Sequence, residues 1–139
     1  MIKIPGTFKP PYSFISEDGK ESMIHRNYVS KSTLLEGDVL YQNIDPNDGE
    51  VFYKYEKAPR IRKIAEVIES DTGDLVALVA FLPESGRDDR GEVIGTRVYK
   101  IIPESISYFC LQEGDKITVF LPADNLYTTH CAVFTKLPL

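Results

Sequence analysis

The tripeptide Glu-Gly-Asp stands twice in this chain, at Glu36-Gly37-Asp38 and at Glu113-Gly114-Asp115, 77 positions apart. Each copy follows a leucine and runs into a strand-like stretch, DVLYQNI in one case and DKITVFL in the other. Aligned on the tripeptide, Val29 falls on Ile106, Leu34 on Leu111, Leu40 on Ile117 and Ile44 on Leu121. Glycine takes positive φ without a steric cost, and an aspartate beside it bonds the N–H groups of its own turn. Each copy therefore reads as a short turn carrying one core leucine, a tight bend at glycine, an amphipathic strand and its hairpin mate. A paired-carboxylate active site would need Glu36, Asp38, Glu113 and Asp115 to converge. Turn punctuation explains them without that.

The rest of the pattern is almost all β. YSFIS and ESMIHRNYV flank the turn residues Asp18-Gly19, a strong hairpin signal. DVLYQNI and EVFYKYE flank DPNDG, where Pro and Gly suit a tight turn. RIRKIAEVIES and LVALVAFL flank Asp71-Thr72-Gly73-Asp74. The β-branched content of that first run favours a long hairpin over a helix. ESGRDDRGEVIG, from Glu84 to Gly95, reads as a charged loop. PESISYFCL reads as one short helical turn with Pro103 at its start, where a missing N–H costs nothing. TRVYKII, DKITVFL and THCAVFTKL complete about nine expected strands. The expected architecture is all-β: two small β modules with few or no long helices, divided near Lys57–Arg60 into 1–57 and 58–139. The PPY segment, Pro10 to Tyr12, is either a semi-rigid arm for a partner or a piece packed on its own barrel.

With 139 residues and 42% hydrophobic content, the chain can bury a real core. Its net charge of -5 disfavours indiscriminate nucleic-acid or membrane-surface binding, though it permits a local basic patch. No run approaches the ~18 apolar residues of a membrane span, and the N-terminus lacks the apolar core of a signal peptide. Cys110 and Cys131 stand singly in apolar runs. They are expected to be buried, reduced thiols of a cytoplasmic protein, with a disulfide between them as the alternative.

From about Arg60 to Leu137, the order VYKII, PESISYFC, LQEGD, KITVFLP and HCAVFTKL resembles an OB-type barrel of the cold-shock kind. The resemblance implies a five-stranded OB-like barrel in the C-terminal half. It also implies a single-stranded nucleic-acid function. The cold-shock pattern of clustered strand aromatics is replaced here by GDLVALVAF and RVYKII, where only Phe81, Tyr99 and Tyr108 are placed to stack. The opening KIPGTFKPPYSF, with RNYVSKSTLLEGDVL after it, also resembles a family of small uncharacterised proteins of candidate-phylum, reduced-genome bacteria. That second resemblance implies no activity.

No motif of catalysis stands out. His25 and His130 are the two histidines, and His130 with Cys131 cannot make a dyad if strand neighbours point to opposite faces. Cys and His are too few for a zinc site, DPND and RDDR lack calcium-loop spacing, and no glycine-rich phosphate loop occurs. The strongest candidate is FYKYEKAPRIRK. Tyr53, Lys54, Tyr55, Lys57, Arg60, Arg62 and Lys63, with Tyr99, combine rings and cations that can hold a partner or a single strand. The expectation is a non-enzymatic binding or scaffold protein with a protein partner, no cofactor and no metal. A single-stranded RNA or DNA binder is the alternative, and a small-molecule enzyme stands behind both.

Overall fold

The alternation read from the sequence becomes ten strands and two short helices in the computed structural model, which describes residues 2–47, 49–81, 90–91 and 95–138. The side chains of residues 2, 45 and 50–55 are outside that description, as is most of the expected Glu84–Gly95 loop. The first module is β1 (Ile2–Lys9), β2 (Ser13–Ser16), β3 (Glu21–Met23), α1 (Arg26–Lys31), β4 (Val39–Asp45) and β5 (Gly49–Glu56). The second is β6 (Arg60–Glu69), β7 (Leu75–Ala80), β8 (Thr96–Lys100), α2 (Pro103–Phe109), β9 (Lys116–Pro122) and β10 (Ala132–Lys136).

The two sheets share one topology. The first has the order β3-β2-β1-β4-β5 and the second β10-β9-β6-β7-β8, with every ladder antiparallel. Read from one edge, each is a three-strand meander, a helix, and a hairpin that returns to the first strand. The all-β, two-module expectation holds. Neither sheet closes through a continuous ladder among the described residues. A single parallel bridge, Lys100 with His130, links the end of β8 to the approach of β10.

The repeated tripeptide occupies the same place in both modules. Gly37 and Gly114 each have φ of +93°, and each directs the chain from a helix into the strand that pairs with the first of its sheet. The Asp38 carboxylate accepts from Leu35 N at 3.0 Å, and that of Asp115 accepts from Gln112 N at 2.8 Å. Phe8 N donates to Asp38 O at 2.9 Å, as Val67 N donates to Asp115 O at 2.8 Å. Even the residue ending each helix is alike: Thr33 and Cys110 have φ of 48° and 51°.

Two local expectations are corrected, and the choice left open for the PPY segment is decided. HRNYV is not part of a strand: β3 stops at Met23, and His25 caps α1, its ring nitrogen accepting from Asn27 N at 3.3 Å. The PPY segment is not an arm, because Pro10-Pro11 makes the β1–β2 turn and Tyr12 is buried in the first core. Cys110 is exposed, while Cys131 is buried as expected, and both thiols are free. Cys110 stands at the left-handed C-cap of α2, where the chain turns outward.

Alternation along the strands fills two cores. Phe8, Phe14, Ile24, Val29, Leu34 and Leu40 pack in the first, and Val67, Val79, Tyr99, Ile117, Val119 and Leu121 in the second. Burying each such side chain stabilises the fold by about 1.5–3 kcal/mol. The modules also grip one another. Ile102, at the N-cap of α2, packs in the first core, Tyr12 Oη donates to Glu104, and Ser30 Oγ lies 3.1 Å from Ser105 Oγ.

Candidate partner-binding face

β6 carries the cations that the sequence singles out, and period two separates them. Arg62 and Ile64 project to the outer face, while Ala65 and Val67 turn to the core. Register places Arg62 opposite Phe120 of β9 and Ile64 opposite Thr118. β10 lies on the other side of β9, and its pairing shifts between Val133 and Thr135. That bulge lets Ala132 and Val133 both be buried while Phe134 points outward, 42% exposed. The Phe120 and Phe134 rings sit 5.0 Å apart at 45°. The Arg60 guanidinium lies 5.7 Å from the Phe120 ring centre, and Arg62 lies 5.9 Å from that of Phe134. The outer face therefore presents two rings with two guanidiniums over them.

The face runs into a groove of about 610 Å³ at the junction of the modules. Lys31 and Lys57 stand on its rim, with Tyr108, Phe109, Phe120 and Phe134 along its wall. Tyr108 is 71% exposed, the most exposed large ring among the described residues. An aromatic wall under a cationic rim suits an extended, acidic segment, which gains ring contacts and long-range attraction together.

The expected site residues do not gather in one place. Lys57 and Arg62 lie in or beside the groove. Arg60 stands there too, but the protein holds it: it donates to Asp38 Oδ1 at 2.5 Å, to Thr33 O at 3.0 Å and to Ala58 O at 3.3 Å. With 12% of its side chain exposed, Arg60 ties the modules together before it can serve a partner. Lys63 turns to the inner side of β6, 5.5 Å from the Phe81 ring. Tyr53, Lys54 and Tyr55 are placed only by backbone, on β5 beside β4.

Tyr99 is corrected outright as a stacking platform. It has 0% exposure and donates its hydroxyl to Leu126 O at 2.6 Å. Burial pushes its pKa up to about 12. A ring closed in by core side chains has no face to offer a base. The residues that sequence reasoning missed are Lys31, Phe120 and Phe134, while Tyr108, named there as a ring able to stack, stands in the groove wall. Four successive apolar residues in CAVFTK, Cys131 to Phe134, break strict alternation, and that break was the available sign of the bulge that exposes Phe134.

Among the described residues, the remaining reactive side chains stand apart from one another. Burial pushes the Cys131 thiol up to about 12, so it is protonated near neutrality. His130 is held below its ordinary pKa, chiefly by burial and secondarily by Lys100, and its Nδ1 lies 2.8 Å from Thr129 Oγ1. His25 is spent on a helix cap. Among the described residues, no three His, Cys, Asp or Glu side chains gather in a way that would hold a metal ion, and no helix is long and apolar enough to cross a membrane. Neither a family model, a curated protein nor a solved structure matches the chain.

Proposed function

We propose that this chain is a non-enzymatic, cytoplasmic binding protein, and that the face of β6, β9 and β10 with its groove engages an acidic, extended segment of a protein partner. The observation that carries the reading is the Arg62–Phe134 pairing beside Lys31 and Lys57 on the aromatic wall of the groove. A chain of net charge -5 that groups cations with exposed rings on one face concentrates attraction there. Rings supply apolar contact at small entropic cost, and interfaces are enriched in them for that reason. The cytoplasmic setting rests on the two free thiols.

The OB-type topology of the second module is part of the proposal. The meander β6-β7-β8, the helix α2 before β9, the return of β9 to β6 and the Lys100–His130 bridge all support it. A photo-crosslinking residue at position 134 identifies what sits on the face. The expected result is a protein cross-link through an acidic stretch, lost in Lys57→Ala and Arg62→Ala and insensitive to nuclease. Capture that nuclease abolishes would assign the face to single-stranded nucleic acid instead. The log–log salt slope of that binding would then be about -0.7 per phosphate neutralised.

A further inference from the structure

A second cleft opens on the other side of the inter-module junction and shares no lining residue with the groove. It has a volume of about 770 Å³, within the roughly 300–1,000 Å³ of small-molecule sites. Three cations line it: Arg26 from α1, and Arg97 and Lys100 from β8. Two carboxylates stand near them. Asp74 accepts from Thr72 Oγ1 at 3.1 Å, and Glu104 takes Tyr12 Oη and lies 3.9 Å from Arg26. After those two, the described lining still carries a positive excess.

Two of the residues that line this cleft have a side-chain polar atom buried without a hydrogen-bond partner, Arg97 Nε and Thr128 Oγ1. Thr128 is 4% exposed. A buried donor left unmade is costly, and native proteins satisfy nearly all of them. Arg97 Nε can only donate and the Thr128 hydroxyl can donate as well as accept, so an acceptor-rich anion suits each of them. The Arg97 guanidinium also lies over the Tyr127 ring, 4.5 Å from its centre. Guanidinium forks match the oxygens of phosphate, and a hydroxyl with a nearby ammonium completes a common phosphate set.

We propose that this cleft is a binding site for a small phosphate-bearing ligand. Arg97 and Thr128 hold the phosphate oxygens, Lys100 and Arg26 supply charge from the rim, and the Tyr12 and Tyr127 rings border the space left for the rest of the ligand.

The probes are inorganic phosphate and adenosine monophosphate, with adenosine as the uncharged control, each titrated into the full chain and followed by calorimetry and side-chain NMR. Both phosphates should bind saturably with dissociation constants of about 1 mM or tighter, and adenosine should not. Tighter binding of the nucleotide than of inorganic phosphate would show that the wall beside the rings is used. Arg97→Gln and Thr128→Val should each weaken binding about tenfold, while Arg62→Ala leaves it unchanged. Thr128→Val keeps the side-chain volume, and Lys100→Gln on the rim offers a further variant if Arg97→Gln fails to fold. Absence of saturation with either phosphate would overturn the assignment. So would binding that Thr128→Val and Lys100→Gln leave intact, and in neither case would the partner-binding face be affected.

Discussion

The two Glu-Gly-Asp turns have nearly the same backbone and different fates. In the first, Asp38 is 0% exposed and its carboxylate serves Leu35 N at 3.0 Å, Ala58 N at 2.7 Å and the Arg60 guanidinium at 2.5 Å. In the second, the Asp115 side chain is 12% exposed and serves Gln112 N at 2.8 Å and Lys136 Nζ at 3.2 Å. The inner half of each network, one N–H three residues back, is set by the tripeptide. The outer half is set by what the chain does next. After β5 it crosses over the first turn to begin β6, and that crossing brings Ala58 and Arg60 onto Asp38. On the second turn the corresponding side-chain partner is Lys136, at the end of β10. A repeated motif fixes local conformation, and its neighbours decide how much rests on it.

The largest expected effect follows from that contrast. Asp38→Ala strands a mostly buried guanidinium and two backbone donors, and should cost about 3–5 kcal/mol. Urea unfolding of Asp38→Ala and Asp115→Ala side by side measures the difference. Equal losses would mean that the crossing at Ala58–Arg60 adds nothing to the first turn.

Backbone strain should act on both turns alike. A Cβ at Gly114 meets nothing within 4 Å, and one at Gly37 meets only the Ala58 Cβ at 3.6 Å. Valine at either position is therefore penalised for its φ and not for crowding, by about 1–3 kcal/mol. Loss at one glycine without loss at the other would break the equivalence. Gly6 behaves differently, because a Cβ there would come 2.4 Å from Ile15 O and 2.6 Å from the Phe14 ring. Register puts Ala65 and Ala77 where the first module has Gly6 and Phe14. One module fills its core with a large ring over a glycine, the other with two alanines.

Acid should distinguish the turns further. The Gln112 N–H, and secondarily Lys136, hold the Asp115 carboxyl below its ordinary 3.8 against the opposing effect of burial. Its ionised form is therefore favoured by folding. The stability it contributes is complete above the unfolded pKa and fades as pH falls through the lower folded value. Asp115→Asn should unfold more readily than the unsubstituted chain at pH 7, and the two curves should converge as pH falls through the lowered pKa of Asp115 into strong acid. A gap that persists unchanged into strong acid would show that charge at Asp115 is irrelevant.

How much of this the sequence disclosed depends on the length of the element. The repeat, the long β6–β7 hairpin, the Pro103 helix and the two-module division were legible because turn chemistry and period two speak over many residues. The helix α1 was not, since six residues with Tyr28 and Val29 at their centre carry too little periodicity to outweigh local strand propensity. Yet the tripeptide alignment sets Val29 opposite Ile106, so a helix in one copy required a helix in the other. The site was half legible. Lys57 and Arg62 could be found as cations near rings, but Phe120 and Phe134 join them through a cross-strand register and a bulge that no local pattern specifies.

The smallest expected effect lies at the helix ends. Thr33 and Cys110 close α1 and α2 with φ near +50°, a region that costs an L-residue roughly 1–2 kcal/mol and a β-branched one more. Glycine relieves that cost but raises the entropy of the unfolded chain, so part of the gain is lost. Thr33 keeps its structural partner on substitution, because Arg60 bonds its carbonyl and not its hydroxyl. Its hydroxyl donates only to the neighbouring Ser32 O, at 2.7 Å. Thr33→Gly should therefore stabilise the fold by up to about 1 kcal/mol, and Cys110→Gly by less, since cysteine is not β-branched. Thermal melts of both variants decide the order. A loss of stability in Thr33→Gly would mean that the threonine side chain, and not the left-handed backbone alone, holds the end of α1 against the Arg60 crossing.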